Sequence, residues 1–322
     1  MPTRIGPSLP RPLSDPAAKR DEPAQQSGAP ATSPATEPAD GFDAAKPRAS
    51  ALKLGSGANP ALMKGDQGNV GYEVRAGQLY VNDVSFDDIQ QGRIGDCYLL
   101  ATLSAIAKVN PQLIKDALRE NGDGTCTVRF YDRPFFLARR RPVEVTVTPD
   151  LPTAPSGGRV YGRSRDPQEQ WVGIVEKAYA QWKGGYDKIG NGGLPGSVLE
   201  ALTGKGSLCK VAPLYASSSM LHREIEEALA KNKPIVASSF FFPFDDSKDG
   251  IVRRHAYAVT GTSREGEQLF IHLRNPWGKT EPAGDGVDDG AFKMTAGDFK
   301  RRFFAVTVGG LEPEEHQVDR DR

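Results

Sequence analysis

The sequence has few cysteines, and none of them has the spacing of a metal or redox motif. Cys97, Cys126 and Cys209 are the three cysteines among 322 residues, and no two form a C-x-x-C pair. This excludes a disulfide framework and the common structural zinc sites. We therefore expect reduced thiols in an intracellular, reducing (cytoplasmic) compartment. Cys126 and Cys209 are interpreted as small buried side chains.

Other absences narrow the class of protein further. The formal net charge is +0, so no excess of positive charge points to nucleic acid or to a membrane surface. No apolar stretch approaches the roughly 20 residues that span a bilayer. The glycine-rich stretch 184–196 lacks the G-x-x-x-x-G-K-[ST] order of a phosphate loop. We expect a protein without a membrane span or nucleic-acid partner, and we expect a monomer.

The N-terminal segment is poor in aromatic residues and rich in Pro, Ala, Ser and Thr. Phe42 is the one aromatic residue in the first 60 positions. Such a segment buries too little apolar area to offset its ordering entropy, so residues 1–68 are predicted to be disordered. It is either a passive tail, or a delivery signal or regulatory arm. Its composition also resembles the leader of a bacterial effector that is secreted into host cells.

The remaining chain changes from helical to strand-like periodicity. We predict a helical lobe over 69–205, a strand-rich lobe over 206–311 and a polar tail over 312–322. Residues 78–81 are also strand-like. Predicted helices are 96–109, 111–119, 171–182, 197–202 and 219–230, and predicted later strands are 126–131, 142–147, 234–240, 255–260, 268–273, 291–294 and 303–308.

Cys97 is the best candidate nucleophile. It stands where a polar, glycine-punctuated stretch ends and an apolar helical run begins. Unpaired backbone N–H groups at a helix start favour a thiolate over a thiol. We therefore predict a lowered pKa for Cys97.

A thiol nucleophile needs a base, and the chain has four histidines. His316 lies in the polar tail and His222 on the polar side of a helix, so both are expected to be solvated. His272 is interior to a strand, where a hydrogen-bonded structural histidine is the default. His255 opens an apolar strand, and a strand end at a cleft gives a fixed ring with an accessible nitrogen.

Three further side chains complete a candidate site. Asn275 ends the next strand and could hold one tautomer of His255. Trp277 could shield that hydrogen bond from water. Gln91 could direct its amide N–H to the same point as the Cys97 backbone N–H and so form an oxyanion pocket.

These segments resemble the three active-site segments of the calpain family of cysteine proteases, in the same order. They are 91–101 (QGRIGDCYLLA), 254–261 (RHAYAVTG) and 273–278 (LRNPWG). Supporting similarities are 175–180 (VEKAYA), 202–204 (LTG), 289–294 (DGAFKM) and 298–299 (DF). The resemblance covers residues from about 75 to 310, which is the protease core without C-terminal regulatory domains.

The resemblance implies an α+β, papain-like core of two lobes, with a helical N-terminal lobe that carries the nucleophile and an antiparallel, β-rich C-terminal lobe. It also implies an endopeptidase that acts on protein or peptide substrates. Cys97 would be the nucleophile, His255 the base and then acid, Asn275 its orienter and Gln91 the oxyanion donor. Hydrolysis would pass through a thioester acyl-enzyme and needs no cofactor for the chemistry.

Family cores resemble clamps that calcium aligns, so Ca²⁺ is expected as an activator. Asp88 and Glu176 match acidic positions in the first lobe, and Glu281, Asp288 and Asp289 match positions in the second. Tyr98 replaces the usual Trp after the nucleophile. Ala291 stands where a carboxylate is expected, and the connecting loop is shorter, which weakens a second-lobe site. Alternatively, these acids are ordinary loop and surface charges.

Two other functions remain open at this stage. One is a pseudo-protease that binds peptides or a partner in the same cleft without cleaving them. The complete set of candidate catalytic residues argues against it. The other is acyl transfer with the same triad, which differs from hydrolysis only in what attacks the thioester.

Overall fold

The apolar run after Cys97 folds as the central helix of the first half of the chain. The computed structural model describes residues 52–54, 58–134, 139–240, 250–282 and 286–312. Helix α1 (Cys97–Val109) has every residue from Tyr98 to Ala107 buried. It ends before Pro111, because a residue that precedes proline is biased away from helical angles.

The other helices of the described part are shorter than α1 or equal to it in length. They are α2 (Pro111–Ala117), α3 (Trp171–Lys183), α4 (Tyr186–Ile189), α5 (Pro195–Thr203), α6 (Ser218–Ala230) and α7 (Ala296–Arg302). Two 3₁₀ turns cover Lys64–Asp66 and Ala212–Leu214.

The strands in the first half of the chain form one four-stranded sheet and two small pairs. They are β1 (Leu52–Leu54), β2 (Gly71–Glu73), β3 (Ile89–Gln90), β4 (Leu118–Glu120), β5 (Cys126–Asp132), β6 (Arg141–Val147), β7 (Leu151–Thr153) and β8 (Arg163–Ser164). The four-stranded sheet has the order β1-β6-β5-β4, and the pairs are β2 with β7 and β3 with β8. The pairing of β1 with β6 is parallel.

The second half of the chain builds one six-stranded sheet. Its strands are β9 (Gly206–Val211), β10 (Ile235–Ser239), β11 (Ala256–Glu265), β12 (Gln268–Arg274), β13 (Ala291–Thr295) and β14 (Phe303–Leu311). Their order is β13-β12-β11-β10-β14-β9, with all neighbours antiparallel. Helix α1 packs against β10 and β11 of this sheet, so the apolar cluster of the first half extends to Val236, Ala256 and Ala258.

This arrangement confirms the predicted α+β class. Apart from the strand predicted at 78–81, the predicted helices and strands of the two halves form with shifts at their ends, and residues 118–119 of the predicted helix 111–119 begin β4. The predicted boundary at 205 and 206 falls between α5 and β9. The division into two lobes stays a prediction, because the described residues from 52 onward cluster as one compact unit.

The predicted strand at 78–81 is wrong, since this stretch forms only an isolated bridge between Gln78 and Glu169. Its backbone groups bond instead to the segment before α3. Leu79 accepts from the Trp171 N–H, and the Val81 N–H donates to the Glu169 carboxylate at 2.8 Å. A side chain therefore takes the place of a partner strand.

The predicted disordered head extends too far toward the C-terminus. Residues 58–68 belong to the folded part: Pro60 is buried, and Leu62 and Met63 pack against the apolar cluster. The Met63 N–H also donates to the Tyr161 hydroxyl. Residues 1–51, 55–57 and the tail 313–322 lie outside the described residues.

Two further predictions about single residues are wrong. His222 is 3 % exposed, because the apolar face of α6 places it beside the buried Leu221 and Ile225. Cys209 lies exposed in β9, whereas Cys126 is buried as predicted. Among the described helices, none has the length and apolar character to cross a membrane.

Candidate active site

Cys97 is the first residue of α1, and its sulfur lies against the start of β11. The backbone N–H groups of Ala256 and Tyr98 act on the thiol and lower its pKa. Ala256 directly follows His255, so this contact brings the candidate nucleophile to the histidine that was predicted as its base.

The electrostatic environment of Cys97 differs from the prediction. The backbone N–H groups do act to lower the pKa of the thiol, as expected for a helix start. Burial raises the pKa by more, and the nearby Asp96 carboxyl adds to the increase. The predicted lowering is therefore wrong for the free protein, and Cys97 rests as a thiol.

The hydrogen bonds of Asn275 determine which nitrogen of His255 carries the proton. The Asn275 Nδ2 donates to the Thr280 carbonyl oxygen at 2.9 Å, which orients the Oδ1 atom of Asn275 toward His255. That Oδ1 lies 2.9 Å from the Nε2 of His255 and also accepts from the Trp277 N–H. Since Oδ1 can only accept, the His255 Nε2 must donate. The Nδ1 atom is left as the basic nitrogen.

Aromatic rings enclose the His255 imidazole. The ring centroids of Trp277 and Tyr257 lie 4.9 and 5.0 Å from it. His255 is 6 % exposed and Asn275 is fully buried. Burial lowers the pKa of His255 to about 4, against a smaller opposite effect of Asn275. The imidazole is therefore neutral and fit to accept a proton near neutral pH.

Gln91 is held close to Cys97 by bonds from its backbone and side chain. Its backbone N–H donates to the Pro276 carbonyl at 2.7 Å, and its Nε2 donates to the Ile94 carbonyl at 2.7 Å. The same amide lies against the Asp96 carboxyl. Gln91 thus joins the segment before Cys97 to the segment after Asn275.

Asp96 and Glu176 form a buried pair of carboxyl groups directly behind the nucleophile. They are 0 and 1 % exposed. Burial raises the pKa of Asp96 to about 6. Burial and the charge of Asp96 raise the pKa of Glu176 well above its usual value. Two acids buried side by side therefore disfavour two negative charges at this position. The Gly162 N–H donates to Glu176 at 2.8 Å, and a Cβ on Gly162 would meet that oxygen at 2.6 Å.

The charge of Asp88 acts on a different acid, Glu169, which the sequence did not indicate. Asp88 accepts from the Ser85 N–H and from the Trp171 indole. The Glu169 Oε1 accepts from Val81, while its Oε2 is buried without a well-formed hydrogen bond. Burial and the Asp88 charge raise the pKa of Glu169 to about 7. The useful signal was an acid two residues before α3, but its spacing from Asp88 gave no reason to pair them.

Two of the acids predicted for the second lobe accept hydrogen bonds from backbone N–H groups near Asn275. Asp288 accepts from the Thr280 N–H at 2.6 Å, and Asp289 accepts from the Ala291 N–H at 2.8 Å. Glu281 follows Thr280 in a loop whose residues 283–285 lie outside the described part. Within the described residues, no group of three or more His, Cys, Asp or Glu is placed to hold a metal ion.

Thr280 links Asp288 to the candidate triad. Its φ of +63° lies in the left-handed region, which is unusual for a β-branched residue. The Thr280 N–H donates to the Asp288 carboxylate, and the Thr280 carbonyl accepts from the Asn275 side-chain amide. Asp288 therefore acts on His255 through Thr280 and Asn275.

Comparison with known proteins decides the family. The family model described as calpain family cysteine protease matches residues 72–289. The chain belongs to the calpain family of cysteine proteases. It is 30% identical to calpain-13 of Rattus norvegicus over 265 residues, which cover 71% of this chain and 39% of that protein. It is also 30% identical to the calpain-2 catalytic subunit of Bos taurus over 273 residues, covering 74% and 37%.

The chain thus spans about two fifths of the length of these curated calpains. Among solved structures, the digestive procathepsin L2 proteinase from Tenebrio molitor larval midgut is similar with a TM-score of 0.23 and 20% identity. That similarity covers 38% of this chain and 39% of that chain.

Tyr98, the departure from the calpain pattern next to the nucleophile, fits its surroundings without disturbing Cys97. Its ring is buried, and its hydroxyl donates to the Ile189 carbonyl at 3.3 Å. A Cβ on Gly193 would lie 2.4 Å from this ring. In this calpain-family chain, Gly193 therefore provides the space for the tyrosine.

The low pKa of His255 predicts an acid-sensitive contribution to stability. Between its ordinary value near 6.5 and about 4, the unfolded chain binds a proton that the native state does not. This stability is present above about pH 6.5 and is lost as the pH falls toward 4, by about 3 kcal/mol in all. Denaturant titrations of wild type and His255→Gln between pH 7.5 and 4.5 should show the stability difference change by about 2 to 3 kcal/mol. If the unfolding free energies of wild type and His255→Gln change in parallel with pH, the lowered pKa of His255 is contradicted.

Proposed function

We propose that this chain is a cysteine endopeptidase that hydrolyses peptide bonds in protein substrates through Cys97, His255 and Asn275. The observation that carries the proposal is the fixed His255–Asn275 pair next to a thiol at a helix start. The 2.9 Å contact and the Thr280 bond leave Nδ1 of His255 to act as the base. Family membership supports the same chemistry.

In the first half of the reaction, His255 takes the proton of the Cys97 thiol as the sulfur attacks the substrate carbonyl carbon. The tetrahedral intermediate collapses when His255 returns that proton to the leaving amine, which breaks the C–N bond and leaves a thioester. Water then attacks the thioester with His255 as base, and the thiol is regenerated. Asn275 keeps the ring in one tautomer throughout.

The negative oxygen of the intermediate needs donors at the start of α1. The Cys97 backbone N–H and the Gln91 amide are the candidates. The Gln91 Nε2 has two hydrogens; one is bonded to the Ile94 carbonyl, and the amide also lies against the Asp96 carboxyl. The proposal requires that the other be available to the oxyanion when a substrate carbonyl occupies the site.

Cleavage of casein tests the proposed function. Wild type should cleave this disordered protein, whereas Cys97→Ala should not, because the alanine has no nucleophile. Gel analysis and mass spectrometry of the new termini give the readout, and Cys126→Ala is the matched control for loss of a thiol elsewhere.

An irreversible, thiol-directed peptide epoxide separates the remaining outcomes. Labelling of Cys97 that is lost in His255→Gln would show an activated thiol even if casein is a poor substrate. If wild type shows no cleavage and no labelling, the protease proposal is contradicted and a binding-only cleft is favoured.

The contacts of Asp288 predict a positioning role. Asp288→Ala frees the Thr280 N–H, so the Asn275 amide and the His255 ring lose their fixed orientation. We expect kcat to fall about tenfold with a smaller change in KM. Asp288→Asn keeps an oxygen acceptor and should retain most of the activity. Equal losses in both variants would contradict this role.

We also propose that calcium binds at Asp88 and Glu169 and activates the enzyme. The charge of Asp88 acts on Glu169, and the Glu169 Oε2, which is buried without a hydrogen-bond partner, would gain one. Carboxylate oxygens are the ligands that Ca²⁺ prefers. Glu176 suits this role less well, because it is fully buried beside Asp96 and its pKa is raised well above its usual value.

Calcium should raise the melting temperature and the rate of casein cleavage of wild type relative to excess EGTA. Asp88→Asn and Glu169→Gln should each reduce this response, and Asp116→Asn on α2 should not. Glu169 must be deprotonated to bind calcium, and its pKa is raised to about 7. The calcium affinity should therefore rise about tenfold between pH 6 and pH 8. A calcium response that Glu169→Gln leaves intact would place the ion elsewhere.

A further inference from the structure

A cavity of about 430 Å³ adjoins the candidate active site. Gln91 and Trp277, which flank Cys97 and His255, are both in its wall. Gly92 and Val160 bring backbone to the same wall, and a Cβ on Gly92 would lie 2.3 Å from the Val160 carbonyl oxygen. The cavity therefore shares Gln91 and Trp277 with the candidate site.

The charged residues that line the cavity are all positive. Its charged lining residues are Arg93, Arg159, Arg163 and Lys279, and no Asp or Glu lines it among the described residues. The chain as a whole has a net charge of +0, so this concentration is local. A half-buried site with one sign of charge favours a ligand of the opposite sign.

Arg93 and Arg159 already have partners within the protein. Arg93 pairs with Asp66 at 3.0 Å. Arg159 donates to the carbonyls of Glu73 and Leu151 and to the Thr153 hydroxyl, and the carboxylates of Glu73 and Asp150 offset part of its charge. These two residues shape the wall more than they attract a ligand.

Arg163 and Lys279 leave positive charge available. Arg163 is half-buried in β8, and burial lowers its pKa. The Glu176 carboxyl offsets part of this lowering. Lys279 is exposed at the rim, two residues after Trp277. No ion pair of either residue occurs in the described part of the chain.

The position of Trp277 indicates which part of a substrate would reach the cavity. His255 must return its proton to the leaving amine, so the substrate segment on the C-terminal side of the scissile bond begins at the imidazole. Trp277 covers that ring at 4.9 Å and also lines the cavity. A side chain that follows the scissile bond can therefore enter it.

We infer that this cavity is a substrate subsite for an acidic side chain, Asp or Glu, within the first three residues on the C-terminal side of the scissile bond. The inference rests on the proposed protease function. Arg163 would bind the carboxylate with its planar pair of N–H donors, and Lys279 would add a second positive charge at the rim.

Internally quenched peptides test the subsite. One parent peptide carries Glu, Gln or Lys at each of the three positions, and kcat/KM is measured for wild type, Arg163→Gln and Lys279→Gln. At one of these positions, wild type should prefer Glu to Gln by about tenfold or more. The Glu to Gln ratio should approach one in Arg163→Gln and fall in Lys279→Gln. Lys231→Gln, at the end of α6, is the matched control and should keep the wild-type ratio.

Binding to Cys97→Ala separates this inference from the protease proposal. Fluorescence anisotropy of the same peptides needs no turnover. Tighter binding of the Glu peptide that is lost in Cys97→Ala/Arg163→Gln supports the subsite, even if wild type cleaves nothing and the protease proposal fails. Equal values for Glu and Gln peptides at all three positions overturn the subsite, as does a preference that both charge variants retain.

Discussion

The buried guanidinium of Arg274 joins the two segments that carry the site. Its Nη2 donates to the carbonyls of Asp87 and Ile89, each at 2.9 Å. Arg274 directly precedes Asn275, and Ile89 lies two residues before Gln91. Burial lowers the pKa of Arg274 to about 10, so it stays charged near neutral pH. A buried charge of this kind is stable only while its partners stay in place, so this interaction, together with the bond from the Gln91 N–H to the Pro276 carbonyl, holds the candidate site residues of the two segments in place.

Two groups of acids in the first half of the chain differ in how far they are buried. Asp96 and Glu176 are both closed to solvent, and burial raises the pKa of each. Asp88 is half-buried, whereas Glu169, on which its charge acts, is 5 % exposed and has a pKa raised to about 7. The access that Asp88 has to solvent is the reason that the calcium proposal rests on this group and not on Asp96 and Glu176.

The sequence was most informative where local signals and burial agree. The polar-to-apolar change at Cys97 predicted the start of α1, and the ends of neighbouring antiparallel strands predicted the meeting of His255 with Asn275. Prediction failed where a long-range side-chain contact decided the structure. The Val81 N–H bonds to Glu169 in place of a strand, and no local pattern encodes an acid 88 residues away. The prediction for His222 failed because polar and apolar residues alternate within each turn of α6, so the sequence did not show that His222 lies on the buried face with Leu221 and Ile225.

Burial also explains why the thiol and the imidazole rest in their neutral forms. Desolvation raises the pKa of Cys97 and lowers that of His255, so each shift opposes a resting ion pair. The carboxyl pair behind the nucleophile affects this balance, because Asp96 already raises the pKa of Cys97. Burial also raises the pKa of Asp96 to about 6 and that of Glu176 well above its usual value, which opposes negative charge behind the sulfur. Full ionisation of both acids would disfavour a thiolate at Cys97 further. The same desolvation that keeps the candidate thiol and imidazole neutral therefore acts on the two acids behind them.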